Sequence, residues 1–173
     1  MVGNYQPDFT FGWNNTFIYK DFDLAVTIDG QCGGNVIYAA ARAFSLNRYD
    51  DNVLAESGLG RWKSSTDPGN GRSHKAGTNN LGSNIGPSTR YLYDADFLRI
   101  RNVSLDIHYR KKFCKIIGIE NMRISANVQN LWTFDKYPGY SVEANYEGNS
   151  ATNNGVDFGG YPISRTFTFG LKF

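Results

Sequence analysis

Apolar and polar residues alternate with a period of two along five separate segments, and nothing else constrains the fold of this chain as strongly. The first segment runs from Phe9 to Tyr19, with Phe9, Phe11, Trp13, Phe17 and Tyr19 at odd positions. In the second, Phe22, Leu24, Val26 and Ile28 alternate with Asp23, Ala25 and Thr27. The third sets Val103, Leu105, Ile107 and Tyr109 against Ser104, Asp106 and His108. The fourth sets Met122, Ile124, Ala126, Val128 and Trp132 against Arg123, Ser125, Asn127 and Gln129. The fifth, from Phe167 to Phe173, sets Phe167, Phe169, Leu171 and Phe173 against Thr168, Gly170 and Lys172. Successive strand side chains point to opposite faces, so each segment predicts a strand with one apolar and one wet face.

Two architectures use such strands. A soluble sandwich turns the apolar faces inward, whereas a membrane barrel turns them outward to lipid around a polar lumen. The connections favour the barrel. Lys20-Asp21 joins the first two strands and a basic turn spanning 110–121 joins the third and fourth. Long stretches separate the second strand from the third and the fourth from the fifth. Short turns on one side and long loops on the other are the barrel arrangement, and long structureless loops are uncommon in compact soluble domains. A soluble carbohydrate-binding β-sandwich remains the alternative. No apolar stretch approaches the ~18 residues of a membrane helix, so a helical membrane protein is excluded.

The long loop from Gly30 to Phe97 is uneven. Residues 35–57 carry Ile37, Ala40, Ala41, Phe44, Val53 and Leu54 without Gly or Pro, which predicts one or two short helices. Residues 66–88, including Pro68-Gly69-Asn70-Gly71, read as loop. Leu98 and Ile100 are even-numbered whereas the apolar residues from Val103 onward are odd. This phase change near Arg101-Asn102 marks either a bulge or the upper limit of the membrane zone.

Little here suggests chemistry. The net charge of +2 supplies no electrostatic pull toward nucleic acid, and Arg110, Lys111, Lys112 and Lys115 read as a solvated turn. Asp94 and Asp96 read as a polar junction before a strand rather than as a calcium or acid–base pair. Asp106 and His108 lack an accompanying nucleophile motif. Two histidines and the distant Cys32 and Cys114 provide no metal-ligand spacing, so neither a metal nor a cofactor is expected, and the chain reads as a non-enzyme. Trp62, Tyr91 and Tyr93 are the loop aromatics expected to meet a ligand or partner, by stacking on sugar rings or on a protein. Trp13, Trp132, Tyr19 and Tyr109, near strand ends, suit an aromatic girdle.

The C-terminal half carries recognisable residues. The run from Tyr91 through Asp94-Ala95-Asp96-Phe97-Leu98-Arg99-Ile100-Arg101-Asn102-Val103 resembles a segment of SusC/RagA-type TonB-dependent outer-membrane transporters, in which a tyrosine-rich loop enters a strand. Val128-Gln129-Asn130-Leu131-Trp132 is similar to that family's strand end, and Tyr161-Pro162 with Arg165-Thr166-Phe167-Thr168-Phe169-Gly170-Leu171 to its closing strand. Tyr137-Pro138-Gly139-Tyr140 with Glu143 resembles a family loop, although Ser141 and Val142 replace its Asp-Pro pair. Pro7-Asp8-Phe9-Thr10-Phe11-Gly12, Tyr19-Lys20-Asp21-Phe22-Asp23-Leu24 and Arg61-Trp62 extend the likeness over essentially the whole chain.

The resemblance implies an all-β fold: the C-terminal antiparallel strands of a large transmembrane barrel, about five strands with long extracellular loops and a short helix. Residues 1–173 would form one incomplete segment, lacking the plug domain and most of the barrel. A five-stranded sheet has two open edges that lipid cannot satisfy, so the physics asks for the same completion. No secretory signal opens the sequence, and Met1 reads as an internal start or a truncated frame. The intact protein would import oligosaccharides or peptides across the outer membrane of a Gram-negative cell. Its expected partners are membrane lipid, the remaining barrel and plug, a SusD-like surface lipoprotein, TonB through the missing N-terminal region, and the barrel-assembly machinery. Nucleic acid is not among them.

Ser104, Asp106, His108, Arg123, Ser125, Asn127 and Gln129 are expected to face the lumen. Val103, Leu105, Ile107, Ile124, Val128, Phe167, Phe169 and Leu171 are expected to face lipid, and Phe173 to act as the assembly signal. Counting back from a periplasmic Phe173 puts Cys32 outside and Cys114 on the periplasmic side, too far apart for a disulfide.

Overall fold

A computed structural model describes residues 3–47, 52–77, 88–109, 121–143, 145 and 154–173. The chain divides into two units, one of Gln6–Gly34, Ala95–Pro138 and Pro162–Phe173, the other of Met1–Tyr5, Asn35–Asp94 and Gly139–Tyr161.

The first unit is a sheet of five antiparallel strands: β1 (Phe9–Tyr19), β2 (Phe22–Cys32), β5 (Phe97–Tyr109), β6 (Met122–Asp135) and β8 (Thr166–Lys172). Their order is β1-β2-β5-β6-β8, so each strand pairs with its neighbours in the chain among these five. The alternating segments are the five strands, with β2, β5 and β6 running beyond the alternation toward the long loops. In the β1–β2 turn Lys20 has φ 55, and the Asp21 carbonyl accepts from the His108 amide at 2.8 Å. Gly33 and Gly34 both have positive φ at the end of β2, a conformation that glycine adopts without steric cost.

Pairing aligns the apolar residues into rows. One row joins Tyr19, Phe22, Ile107, Ile124 and Leu171, and the next Phe17, Leu24, Leu105, Ala126 and Phe169. Then come Val26, Val103, Val128 and Phe167, and after them Trp13, Ile28, Ile100 and Trp132. This face is uncovered: Phe169 is 80% exposed and Phe17 52%. A soluble sandwich would bury those rings against a second sheet, so that alternative fails on packing.

The phase change resolves as a bulge. Asn102 pairs with Thr27 and Ile100 with Ile28, leaving Arg101 as the extra residue of β5. At the same level β6 is irregular, with Gln129 opposite Asn102 and Trp132 opposite Ile100. Asn130, between them, has φ 52, and its side-chain amide donates to the Ser164 carbonyl at 3.0 Å. Asparagine is among the few residues with a side chain that visit this region readily.

The second unit is built from the long loops. It holds the expected short helices, α1 (Ala39–Ala43) and α2 (Ala55–Leu59), and a sheet absent from the sequence reading. That sheet orders β4 (Leu92–Asp94), β3 (Asn35–Tyr38) and β7 (Val156–Asp157), with β3 and β7 parallel. Residues 35–38 are therefore strand, not the start of a helix. Three- and two-residue strands have no alternation to read, and they form because β3 finds partners about 60 and 120 positions away. Val36, fully buried, centres a small core with Ala40, Ala41, Leu46 and Tyr91. Residues 66–77 contain neither helix nor strand, as expected, and are braced by side chains: Asn70 Oδ1 accepts from the Arg72 and Ser73 amides, each at 2.9 Å. No helix among the described residues is long and apolar enough to cross a membrane.

Candidate functional site: the polar face of the sheet

Because paired residues share a face, the register collects Ser104, Asp106 and His108 of β5 with Arg123, Ser125, Asn127 and Gln129 of β6. Asp23, Ala25, Thr27 and Asp29 of β2 and Lys172 of β8 join the same side. Alternation alone places the β5 and β6 residues on this side, whereas their bonds depend on the register between strands.

Near the short-turn end two like charges stand directly opposite one another, Asp23 facing Asp106, and His108 faces Arg123. A like-charge pair is unfavourable, but diagonal neighbours lie within reach of long side chains. The diagonals supply the bonds. His108 Nε2 lies 2.9 Å from Asp23 Oδ2, and Arg123 donates to both Asp106 oxygens, from Nε at 3.0 Å and Nη2 at 2.7 Å. One step further along, Asn127 donates to Asn102 Oδ1 at 2.7 Å.

Above the bulge the polar side carries a second cluster. Arg99 Nη2 and Arg101 Nη2 both reach Asp29 Oδ2, at 2.6 and 2.7 Å. Arg99 is buried and its guanidinium lies 5.1 Å from the Phe97 ring centroid. Without the extra residue at Arg101, strict alternation from His108 through Ser104 would carry Arg99 to the apolar side. The parity switch was legible; the convergence of two arginines on one carboxylate was not.

The aromatic expectations divide. Tyr91 is only 7% exposed and lies beneath the Arg90 guanidinium at 5.4 Å, so it is a buried ring rather than an exposed one. Trp62 is partly exposed with Lys75 Nζ 5.8 Å above its ring, and Tyr93 packs edge-on against Tyr38 at 6.4 Å. Burial, then the neighbouring Asp157 carboxylate, Tyr140 and Tyr93, raise the Tyr38 phenol above its ordinary range. Asp94 and Asp96 have structural roles: Asp94 accepts from the Asn35 amide at 3.4 Å, and Asp96 from the Gly33 backbone at 2.6 Å. Cys32 is a free thiol, while Cys114 and the basic turn residues Arg110, Lys111, Lys112 and Lys115 lie outside the described residues. Among the described residues no three His, Cys, Asp or Glu side chains converge as metal ligands.

No family model matches the sequence. Curated relatives do. The chain is 34% identical over 183 residues to TonB-dependent receptor P3 of Formosa agariphila, and 27% identical over 177 residues to TonB-dependent receptor P26 of the same organism. Each alignment covers 99% of this chain and 17% of the relative, so the chain spans about a sixth of the length of those proteins. Among solved structures, the RagAB peptide importer in its closed-closed state superposes with a TM-score of 0.67 at 20% identity, covering 96% of this chain and 17% of that one. The open-open state gives 0.63 over the same shares. A two-faced antiparallel sheet with an uncovered apolar side, matched to part of such molecules, is a piece of a larger outer-membrane β-barrel. Over nearly its whole length the chain is similar to part of the curated TonB-dependent receptors, and its fold matches part of the RagAB peptide importer.

Proposed function

We propose that this segment forms the C-terminal wall of a TonB-energised importer for oligosaccharides or peptides. The observation carrying the proposal is the identity to a TonB-dependent receptor over nearly the whole chain, on a sheet that separates a bonded polar face from an uncovered apolar one. In this reading Ser104, Asp106, His108, Arg123, Ser125, Asn127 and Gln129 line the lumen or meet the plug. Val103, Leu105, Ile107, Ile124, Val128, Phe167, Phe169 and Leu171 meet lipid. The two edges of the sheet pair with the rest of the barrel, because unpaired backbone groups in hydrocarbon cost several kcal/mol each. The N-terminal region of the full receptor engages TonB, and a SusD-like surface lipoprotein works at the extracellular mouth. Phe173, exposed just beyond β8, presents the address read by the assembly machinery.

The importer assignment is tested by deleting the full receptor gene and measuring uptake of labelled oligosaccharides and oligopeptides, in parallel with cells lacking TonB. Loss of the same substrate in both strains is the expected result. Uptake that depends on the receptor but persists without TonB overturns it.

A further inference from the structure

At the long-loop end, the apolar face carries a cation. Arg165 immediately precedes β8 and continues the odd-numbered side that carries Phe167, Phe169 and Leu171. Its guanidinium lies over the Trp132 ring, 5.5 Å from the ring centroid. Trp132 lies in the same row as Trp13, Ile28 and Ile100 and packs against Phe134 at 6.3 Å. Among the described residues no carboxylate pairs with Arg165, and the Trp132 indole N–H has no acceptor. A guanidinium stays charged, and on a lipid-facing surface its cost rises from about 0–1 kcal/mol near the interface to about 2–4 kcal/mol at the midplane. Placed beside a tryptophan at the rim, it is held where headgroups begin. A planar fork of donors suits a phosphate, which accepts two parallel hydrogen bonds from it.

We propose that Arg165 and the indole of Trp132 form a binding site for the phosphate of an outer-leaflet lipid headgroup. The inference rests on the reading above that this face meets lipid and that the long loops are extracellular. The ring keeps the guanidinium at this position, its N–H groups offer donors to the phosphate, and the indole N–H supplies another. Lys20 Nζ, 5.0 Å from the Tyr19 ring, is the corresponding cation at the opposite end of the sheet and lies outside this site.

The test is native mass spectrometry of the detergent-purified full-length receptor titrated with bis-phosphorylated lipid A, with the same glycolipid stripped of both phosphates, and with inorganic phosphate. Arg165→Gln should lower retention of the phosphorylated lipid about five-fold, as expected for one basic side chain at an anionic surface. Arg165→Lys should keep part of the binding, and Lys20→Gln should leave it unchanged. Equal retention by wild type and Arg165→Gln, or equal binding of the phosphate-free lipid, overturns the site. Displacement of the lipid by inorganic phosphate at millimolar concentration overturns the lipid assignment in favour of a free-anion site. Leu105→Arg separates the two levels. If that change impairs membrane insertion while Arg165→Gln does nothing, the lipid-facing reading stands and only the phosphate site falls.

Discussion

Replacing Leu105 by arginine tests which face of the sheet meets lipid. Leu105 shares a row with Phe17, Leu24, Ala126 and Phe169, and the adjacent row carries Val103. These two rows lie between the Tyr19 row and the Trp13–Trp132 row. From Tyr19 to Trp13 is six residues, about 20 Å along a strand and about 15 Å in height at a tilt of ~40°. Both aromatic rows fit within the ~25 Å apolar band of an outer-membrane barrel, which places Leu105, between them, inside the hydrocarbon zone. An arginine there should cost about 2–4 kcal/mol. Three kcal/mol is roughly a hundred-fold in the folding equilibrium, because each 1.4 kcal/mol is about ten-fold. The neighbouring Ser104 points to the other side, where Ala25 and Asn127 are its cross-strand partners. Ser104→Arg should cost under about 1 kcal/mol, since a polar wall keeps the new charge in water. The assay is refolding of the full-length receptor into lipid vesicles across a urea series, read by heat-modifiable migration. Equal losses for Leu105→Arg and Ser104→Arg would refute the assignment of faces.

Four further outcomes follow from the geometry. Asn130, at φ 52, should tolerate glycine with little change, whereas Asn130→Val should lower stability by about 1–2 kcal/mol in the same urea series. A Cβ on Gly30 would meet the Phe97 carbonyl oxygen and the Phe11 ring at under 3 Å, so Gly30→Ala should cost about 1–3 kcal/mol, and adding Phe11→Ala should not restore it because the backbone clash persists. Removing Phe173, or replacing it with Asp, should sharply reduce outer-membrane insertion measured by fractionation of cells, while Lys172→Gln should do little. The raised phenol of Tyr38 means that the folded loop unit holds its proton more tightly than the unfolded chain does. Its contribution is complete below the ordinary tyrosine range and falls as pH rises through and beyond it, so the protection of the β3 and β7 amides, taken relative to their intrinsic base-catalysed exchange, should fall in alkali, and Tyr38→Phe should remove that fall.

The sequence alone determined the sheet. A period of two is a local property, written in all but one of the alternate residues from Phe9 to Tyr19 and in every second residue from Phe167 to Phe173, and it survives whatever the chain packs against. The spacing of turns and loops determined the antiparallel order, since a two-residue connection such as Lys20-Asp21 allows only a hairpin. Even the bulge left a local trace, the change from even to odd apolar positions around Arg101. Tertiary structure decided what no window of sequence contains. Asp23 and Asp106 stand 83 positions apart, and only the register brings them opposite and hands each to a diagonal partner on another strand. Tyr91 looked like an exposed loop aromatic because burial is not a property of a residue's neighbours in the chain; it fills the core that closes around Val36. The short strands β3, β4 and β7 exist because distant backbone groups found one another, and their two to four residues are too few for any periodicity to announce them.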